Sequence, residues 1–381
     1  MEKLTKKKFK LVRLFLLYFS ITLVAPFSFA EWSGFFKSQV YKNTGVNGSY
    51  LRQNGRVQNI FDLSNGKKLE FAYDLAWLRT ESELDVDGSN DRFRFVDFVR
   101  VPENTSTNLV VQNLDRLSFY WELSKIQIIL GRQPISFGSA KTINPTDVFA
   151  PFEVAAIDTE NRIGVDAIRG RIPISDFSEV DAGVVFGKDA SDEKNAYFAN
   201  LKWSKQDLEL QIGWNHFLQN TLYSIDLQTV LLQQAVWLEL ANYFPRDENS
   251  FYIFSTGMDY RYNEDLYFFF EFHQNELGAK QTSQYSARSE LPIFKDANIL
   301  FLSYNYLNLG GVYQIHPLWT LSGSLFNNFQ DGSKLLSSKI EWNVSEDWYI
   351  DFGTVLGISR SSDSEFSKYK ETFFGALRLY L

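Results

Sequence analysis

Alternation with a period of two residues, in stretches of about ten broken by turn clusters, is the feature that most limits how this chain can fold. Leu69, Phe71, Tyr73, Leu75 and Trp77 alternate with Lys68, Glu70, Ala72, Asp74 and Ala76. Leu117, Phe119, Trp121 and Leu123 alternate with Ser118, Tyr120 and Glu122, and Tyr197, Ala199, Leu201 and Trp203 with Phe198, Asn200 and Lys202. Successive strand side chains point to opposite faces, so each stretch predicts a strand with one apolar face and one polar or small face. From Trp32 onward no stretch reaches the length of a membrane helix. A mean hydropathy of −0.22 excludes a helix bundle in a membrane. It is compatible with membrane strands, which are apolar on one face only.

A soluble β-sandwich alternates in the same way, because one face of each sheet packs on the core. The connections separate the two. Short turns (Ser124-Lys125, Ser204 to Asp207, Asn263 to Asp265, His316-Pro317, Ser345 to Asp347) alternate with longer polar connections (Asn43 to Gly55, Glu81 to Gln112, Gly138 to Asn161, Glu276 to Ala297, Ser359 to Lys368). Trp203, Trp319, Trp342, Trp348 and Tyr349 cluster beside the short turns. Short turns at one end, long loops at the other and an aromatic girdle describe an all-β, transmembrane antiparallel β-barrel with periplasmic turns and extracellular loops. The alternating stretches number about 18, or 16 without the second strand and the Leu222 to Leu240 region. The Arg92 to Val101 stretch is placed in a loop. At the C-terminus Phe373, Leu377, Leu379 and Leu381 share one face, with Arg378 and Tyr380 on the other. Such a last strand resembles the signal read by barrel-assembly machinery, with Leu381 where an aromatic residue is usual.

The first 30 residues follow different rules. Six basic residues from Lys3 to Arg13 precede an apolar run, Leu14 to Val24, and a small-x-small end, Ser28-Phe29-Ala30. This is the layout of a cleaved signal peptide, leaving residues 31–381 as one barrel domain. Removing a segment of net charge +5 from a chain of −8 leaves the mature protein near −13. That acidity offers no counter-charge to nucleic acid. With no Cys there is no disulfide, thiol nucleophile or thiolate metal site.

Barrels of 16–18 strands leave an aqueous channel. With the apolar face toward lipid and lipopolysaccharide, the lumen carries Glu70, Asp74, Glu122, Asp181, Glu209, Asp259, Glu271, Glu341 and Asp351. Its cations are fewer: Lys68, Lys202, Arg261, Lys339 and Arg378. An acidic lumen concentrates cations, which predicts a mild cation preference unless the charges pair across the lumen. Within Leu130 to Phe152, Pro134, Gly138, Asn144-Pro145 and Pro151 forbid regular pairing, while Phe137, Phe149 and Phe152 need burial. A long loop with aromatics to bury, set on a wide rim, is expected to fold inward. Arg132, Asn144 and Asp147 are the candidate groups at the resulting constriction.

The run Gly131-Arg132-Gln133-x-Ile135-x-Phe137-Gly138, followed by Asn144-Pro145-Thr146-Asp147-x-Phe149-x-Pro151, resembles a stretch in porin-like outer-membrane proteins of Gram-negative bacteria. These are similar to alginate-export-type and substrate-selective porins. Arg162-x-Gly164-Val165-Asp166-Ala167 fits the strand that follows in them. The match covers about 40 residues, and the remainder agrees in barrel pattern only. The resemblance implies passive permeation, with the loop after the fifth strand (138–161) as a constriction. Phe137 stands where that family usually has Trp, and its dense basic ladders are not evident.

The reading is therefore a porin, a diffusion channel for small hydrophilic solutes. The alternatives are a polysaccharide-export or surface-assembly barrel without general porin activity, and a plugged structural barrel with adhesive loops. A homotrimer through the lipid-facing walls is left open. The only imidazoles are His216, His273 and His316, and no Ser is locally placed beside His273 to act as nucleophile, so no catalytic site is assigned. Neither a metal site nor a cofactor is expected. The acids at Asp85, Asp87 and Ser361 to Glu365 are taken as solvated loop charge.

Overall fold

The strands close on themselves. The computed structural model describes residues 32–43, 48–81, 93–95, 100–105, 107–152 and 160–381. The signal segment, Asp85, Asp87, Arg92 and residues 96–99 lie outside the described residues. In chain order the strands are β1 Ser33–Asn43, β2 Gly48–Asp62, β3 Lys67–Thr80, β4 Arg100–Thr105, β5 Asn108–Leu123, β6 Ile126–Gln133, β7 Val165–Ser175, β8 Ser178–Val185, β9 Ala196–Lys205 and β10 Leu208–Phe217. They continue with β11 Asn220–Leu231, β12 Gln234–Phe244, β13 Phe251–Arg261, β14 Leu266–Asn275, β15 Asn305–His316, β16 Trp319–Asn328, β17 Lys334–Ser345, β18 Trp348–Ile358 and β19 Thr372–Tyr380.

Every wall pairing is antiparallel and between chain neighbours, and β19 returns to β1 from Phe35↔Tyr380 to Asn43↔Thr372. The exception is β4, which pairs only beside the start of β5. The other eighteen strands form the closed wall, an arrangement with no free edge to recruit another chain. Closure is sealed where Leu381 N donates to Gly34 O at 3.0 Å.

All eighteen stretches expected from the alternation are strands, and five details differ, the first being that β5 begins at Asn108, inside the connection expected to run to Gln112. β2 begins at Gly48, because Gly55, which looks like a turn residue, lies in the strand opposite Phe36. β6 stops at Gln133, since Pro134 has no N–H to continue the ladder. β15 starts at Asn305, the preceding Pro292–Asp296 being a short helix. Residues 100–105, expected in a loop, form β4.

One end of the wall has only tight turns, such as 124–125, 176–177, 206–207 and 232–233, while the other carries the segments 134–164, 276–304 and 359–371. The two-residue turn at 232–233 is built from Leu232 (φ 53°) and Gln233 (φ 67°), neither of which is at ease in the left-handed region. Outside, bulky apolar side chains such as Leu201, Ile212, Ile225 and Phe270 are exposed. Trp319 and Trp342 stack at 5.1 Å beside the turn end. Tyr349, expected in that girdle, instead faces inward, with the Arg378 guanidinium 5.1 Å from its ring.

Inside, the register aligns side chains into rows. One runs Asp226, Glu239, Ser255, His273, Tyr306, Asn328 across β11 to β16. A neighbouring row runs Trp237, Gly257, Glu271, Asn308, Phe326, Leu335. Two apolar clusters also lie inside. The larger joins Phe137, Val148 and Phe149 to wall residues such as Phe198, Phe217 and Tyr243 and to Ile293 and Phe294. The smaller joins Ile143, Phe301, Tyr306, Phe326 and Phe366. Burying each such side chain is worth about 1.5–3 kcal/mol, so these connecting segments are held as firmly as a domain core.

Candidate functional site

After Gln133 the chain leaves the wall, and Ile135 and Phe137 carry it into the larger apolar cluster. Gly138 then takes a φ of 97°, a conformation that L side chains rarely adopt. The turn aims consecutive backbone N–H groups at two carboxylates of the far wall. Ser139 N and Ala140 N donate to Glu239 at 3.1 and 3.2 Å, and Thr146 N joins them at 2.8 Å with its hydroxyl at 2.6 Å. Lys141 N, Thr142 N and Ile143 N donate to Glu271 at 2.7, 3.3 and 3.1 Å, and Trp237 Nε1 adds a bond at 3.0 Å. Backbone N–H groups converging in this way form an anion-binding nest. Here the anions are side chains of β12 and β14. The Thr142 and Ser139 hydroxyls also donate to Glu271 and Asp226. In return, Tyr243 OH donates to Pro145 O at 2.6 Å and Ser255 Oγ to Ile143 O at 2.7 Å.

The second leg of the segment is tied elsewhere. Glu160 pairs with Lys37 of β1 at 2.9 Å and Arg378 of β19 at 3.1 Å, and accepts from Tyr380 OH at 2.6 Å. Two residues later Arg162 pairs with Asp147, donates to Ala150 O at 2.9 Å and lies over the Phe152 ring at 4.5 Å. Burial pushes the Asp147 carboxyl up from its ordinary 3.8 to about 6, with Arg162 opposing the rise.

The base of the segment rests on a bulge in β5, where Asp115 is an extra residue between the partners of Ala72 and Tyr73. Re-aimed by the bulge, Asp115 receives Arg56 at 2.9 Å, Arg116 at 2.5 Å and Gly164 N at 3.0 Å, with Arg94 at 3.5 Å. Arg116 also donates to Arg162 O at 2.5 Å. Charge is thus spread unevenly over the inner wall. Lys37, Arg56, Arg116, Arg169 and Arg378 occupy the β19-to-β7 arc together with the acids Glu70, Asp74, Asp115 and Asp166, whereas Asp226, Glu239, Asp259 and Glu271 on β11 to β14 are joined by Arg261 alone among the lumen cations named from sequence. A cavity of about 350 Å³ lies between residues 140–152 and 297–301, with His273, Ser324 and Phe326 in its wall.

The three residues named from sequence are not brought together. Arg132 is buried in the wall, paired with Asp166 at 2.7 Å and donating to Leu114 O at 2.8 Å. Asn144 and Asp147 both line the cavity, and the buried Asn144 Oδ1 has no hydrogen-bond partner among the described residues. Most of the nine lumen acids are already engaged. Asp74 meets Arg56 at 3.1 Å, Glu209 meets Lys202 at 2.9 Å and Asp259 meets Lys141 at 3.5 Å. Asp181 pairs with Arg169, while Glu341 and Asp351 share Arg378 at 2.5 and 2.6 Å. Glu70 accepts from Tyr120 OH at 2.7 Å, Glu271 holds the inward segment, and Glu122 is exposed near the turn end.

A serine does stand beside His273: Ser255 Oγ is 2.8 Å from Nδ1. Its proton, however, is committed to Ile143 O, and both residues are buried. Among the described residues no three His, Asp or Glu side chains converge as metal ligands. Glu239 and Glu160 hold the segment and were not singled out from sequence, and Arg162, named only as the start of a family-like strand, was not expected to hold Asp147. The one signal for Glu239 was its polar position between Leu238 and Leu240.

No protein-family model matches the chain, and no curated protein matches it in sequence. Solved structures do. Acinetobacter baumannii OccAB1 superposes with a TM-score of 0.59 at 8% identity, covering 92% of this chain and 96% of the other. Pseudomonas aeruginosa OccK5 (OpdH) gives the same four values. Pseudomonas aeruginosa OccD3 (OpdP) superposes with a TM-score of 0.55 at 9% identity, covering 93% and 91%. The chain has a porin fold. It combines eighteen closed strands, an apolar exterior and a charged interior, and the agreement with these three solved structures spans nearly the whole chain at identities that establish fold alone.

Proposed function

We propose that the mature chain is a porin of the bacterial outer membrane, a passive diffusion channel for small hydrophilic solutes. In this reading residues 1–30 direct export, and the wall contacts outer-membrane lipid and lipopolysaccharide. The last strand is what the barrel-assembly machinery engages. The observation that carries the reading is the fixing of residues 139–146 to Glu239 and Glu271 on β12 and β14, and of Glu160 to Lys37 and Arg378 on β1 and β19. A segment tied across a wide lumen narrows it without sealing it, and residues 138–161 are then the constriction, with Asn144 and Asp147 at its edge.

A mild cation preference is part of the proposal, and its basis is narrower than a tally of acids. Paired charges contribute little field beyond the Debye length of roughly 8–10 Å. The preference therefore rests on the net charge of the mature chain and on acids such as Glu122 that no ion pair offsets among the described residues. Single-channel conductance of the refolded mature protein, with reversal potential in a salt gradient, tests the reading. Stable steps, a cation-biased reversal potential that shrinks with salt, and a larger conductance after deletion of residues 139–160 are the expected results. A folded barrel without conductance would replace the channel by a polysaccharide-export or surface-assembly role.

A further inference from the structure

Lys141 reaches toward the same wall that anchors its main chain. Its N–H donates to Glu271 at 2.7 Å, while its ammonium lies 3.5 Å from Asp259 Oδ2 and 5.4 Å from the centres of both the Trp237 and Tyr267 rings. The wall holds these three groups by its own contacts. Trp237 of β12 lies across Gly257 of β13, where a Cβ would meet the indole Cζ2 at 2.5 Å, and its Nε1 is tied to Glu271 at 3.0 Å. Asp259, two residues nearer the turn end of β13, accepts from Ala235 N at 2.9 Å and from Tyr267 OH at 3.1 Å. Among the described residues Lys141 is the only cation paired with Asp259; Arg261, further along β13, stands opposite Tyr267.

We propose that Trp237, Tyr267 and Asp259 form a binding site on the lumen wall for the ammonium end of aliphatic amines, with Lys141 as its displaceable resident. The site as such rests on the contacts above, and its use by a passing amine rests also on the channel reading. Two ring faces attract an ammonium through their quadrupoles, and one carboxylate supplies the counter-charge. A hard metal ion would ask for about six oxygen ligands, whereas Asp259 and the Tyr267 hydroxyl are the only side-chain oxygens of this set. An anion would meet Asp259. The resident is loosely held, because its 3.5 Å pair is longer than the roughly 2.7–2.9 Å of a charge-assisted bond and its side chain is 38% exposed. The lysine can therefore swing out while its N–H stays on Glu271, and the wall groups remain in place to receive another ammonium.

Lys141→Ala removes a propyl chain and its nitrogen, so n-propylammonium is the matching probe for the refolded mature barrel. Saturation-transfer NMR should show it binding about tenfold more tightly to Lys141→Ala than to the unaltered protein, where the lysine competes. The neutral n-propanol should not bind. Adding Asp259→Asn, whose amide oxygen still serves Ala235 N, should abolish the gain, and adding Tyr267→Leu should reduce it. Protease resistance of residues 138–146 reports that the segment stays docked in each variant. Equal affinity for Lys141→Ala and the unaltered protein, binding that survives Asp259→Asn, or equal binding of n-propanol overturns the proposal. Cleavage within 138–146 of Lys141→Ala overturns it too, since the lysine would then be part of the mount and no displaceable resident. Conductance separates the two claims. n-Propylammonium should lower the single-channel current of Lys141→Ala and leave that of the Asp259→Asn double variant unchanged. Binding to a barrel that never conducts leaves the site standing and removes the channel.

Discussion

Gly138 shows how much one residue can hold in place. A Cβ there would meet both carboxylate oxygens of Glu239 at 2.5 Å, on a backbone at φ 97° that L side chains rarely adopt. Gly138→Ala should cost about 1–3 kcal/mol of docking and raise single-channel conductance, with barrel folding on heat-modifiable gels unchanged. The opposite adjustment is available at the turn end. Replacing Leu232 with Asn and Gln233 with Gly supplies residues suited to two successive positive φ angles, and should stabilise the barrel by about 1 kcal/mol in urea unfolding. The sequence shows Gly138 as a loop breaker but not as a contact, because its partner Glu239 is a hundred residues away. Arg132 illustrates the converse. Its place in a family-like motif suggested a pore group, whereas the pairing with Asp166 puts it in the wall.

At the scale of the element, the strands were legible and the docking was not. Period-two alternation is a local property, and it located all eighteen wall strands. It failed at β4, whose partner is a single edge of β5, and at the start of β2, where Gly55 imitates a turn. That the first inward segment needs to bury Phe137 and Phe149 was also visible. Which wall receives it depends on register between distant strands, and no local pattern encodes that. The docking can be tested at its acceptors. Glu271→Ala leaves the N–H groups of Lys141, Thr142 and Ile143 and the Trp237 indole without their acceptor, at about 1–3 kcal/mol for each one that water does not reach. The expected result is protease cleavage within 138–146 in a barrel that remains folded. Asp147 adds a pH dependence. With its carboxyl raised from 3.8 to about 6, docking should weaken as pH rises across that interval and level off above it. Cleavage rates measured from pH 4 to 8 should show this rise, and Asp147→Asn should flatten it.

For the molecule as a whole, closure is the property on which the others depend. The first and last strands are joined over the full length of β19, so deleting residues 372–381 would expose two wall edges at once. That variant should fail to give the compact heat-modifiable form in detergent and should aggregate instead. The distribution of charge in the interior, mixed from β19 to β7 and mainly acidic from β11 to β14, also exists only at this scale. Counting along the sequence gave the lumen an excess of acids over cations. The closed barrel pairs most of those acids locally.

The nests at Glu239 and Glu271 hold the main chain of residues 139–143 as well as a few hydroxyls. Main-chain N–H groups are common to every residue except proline, so anchorage and lining are separable in this segment. Lys141, which is exposed, can be exchanged for other side chains while the ribbon stays where it is, provided Gly138 and the two glutamates are kept. A segment mounted this way can acquire a new lining by point substitution, without redesigning the mount that carries it.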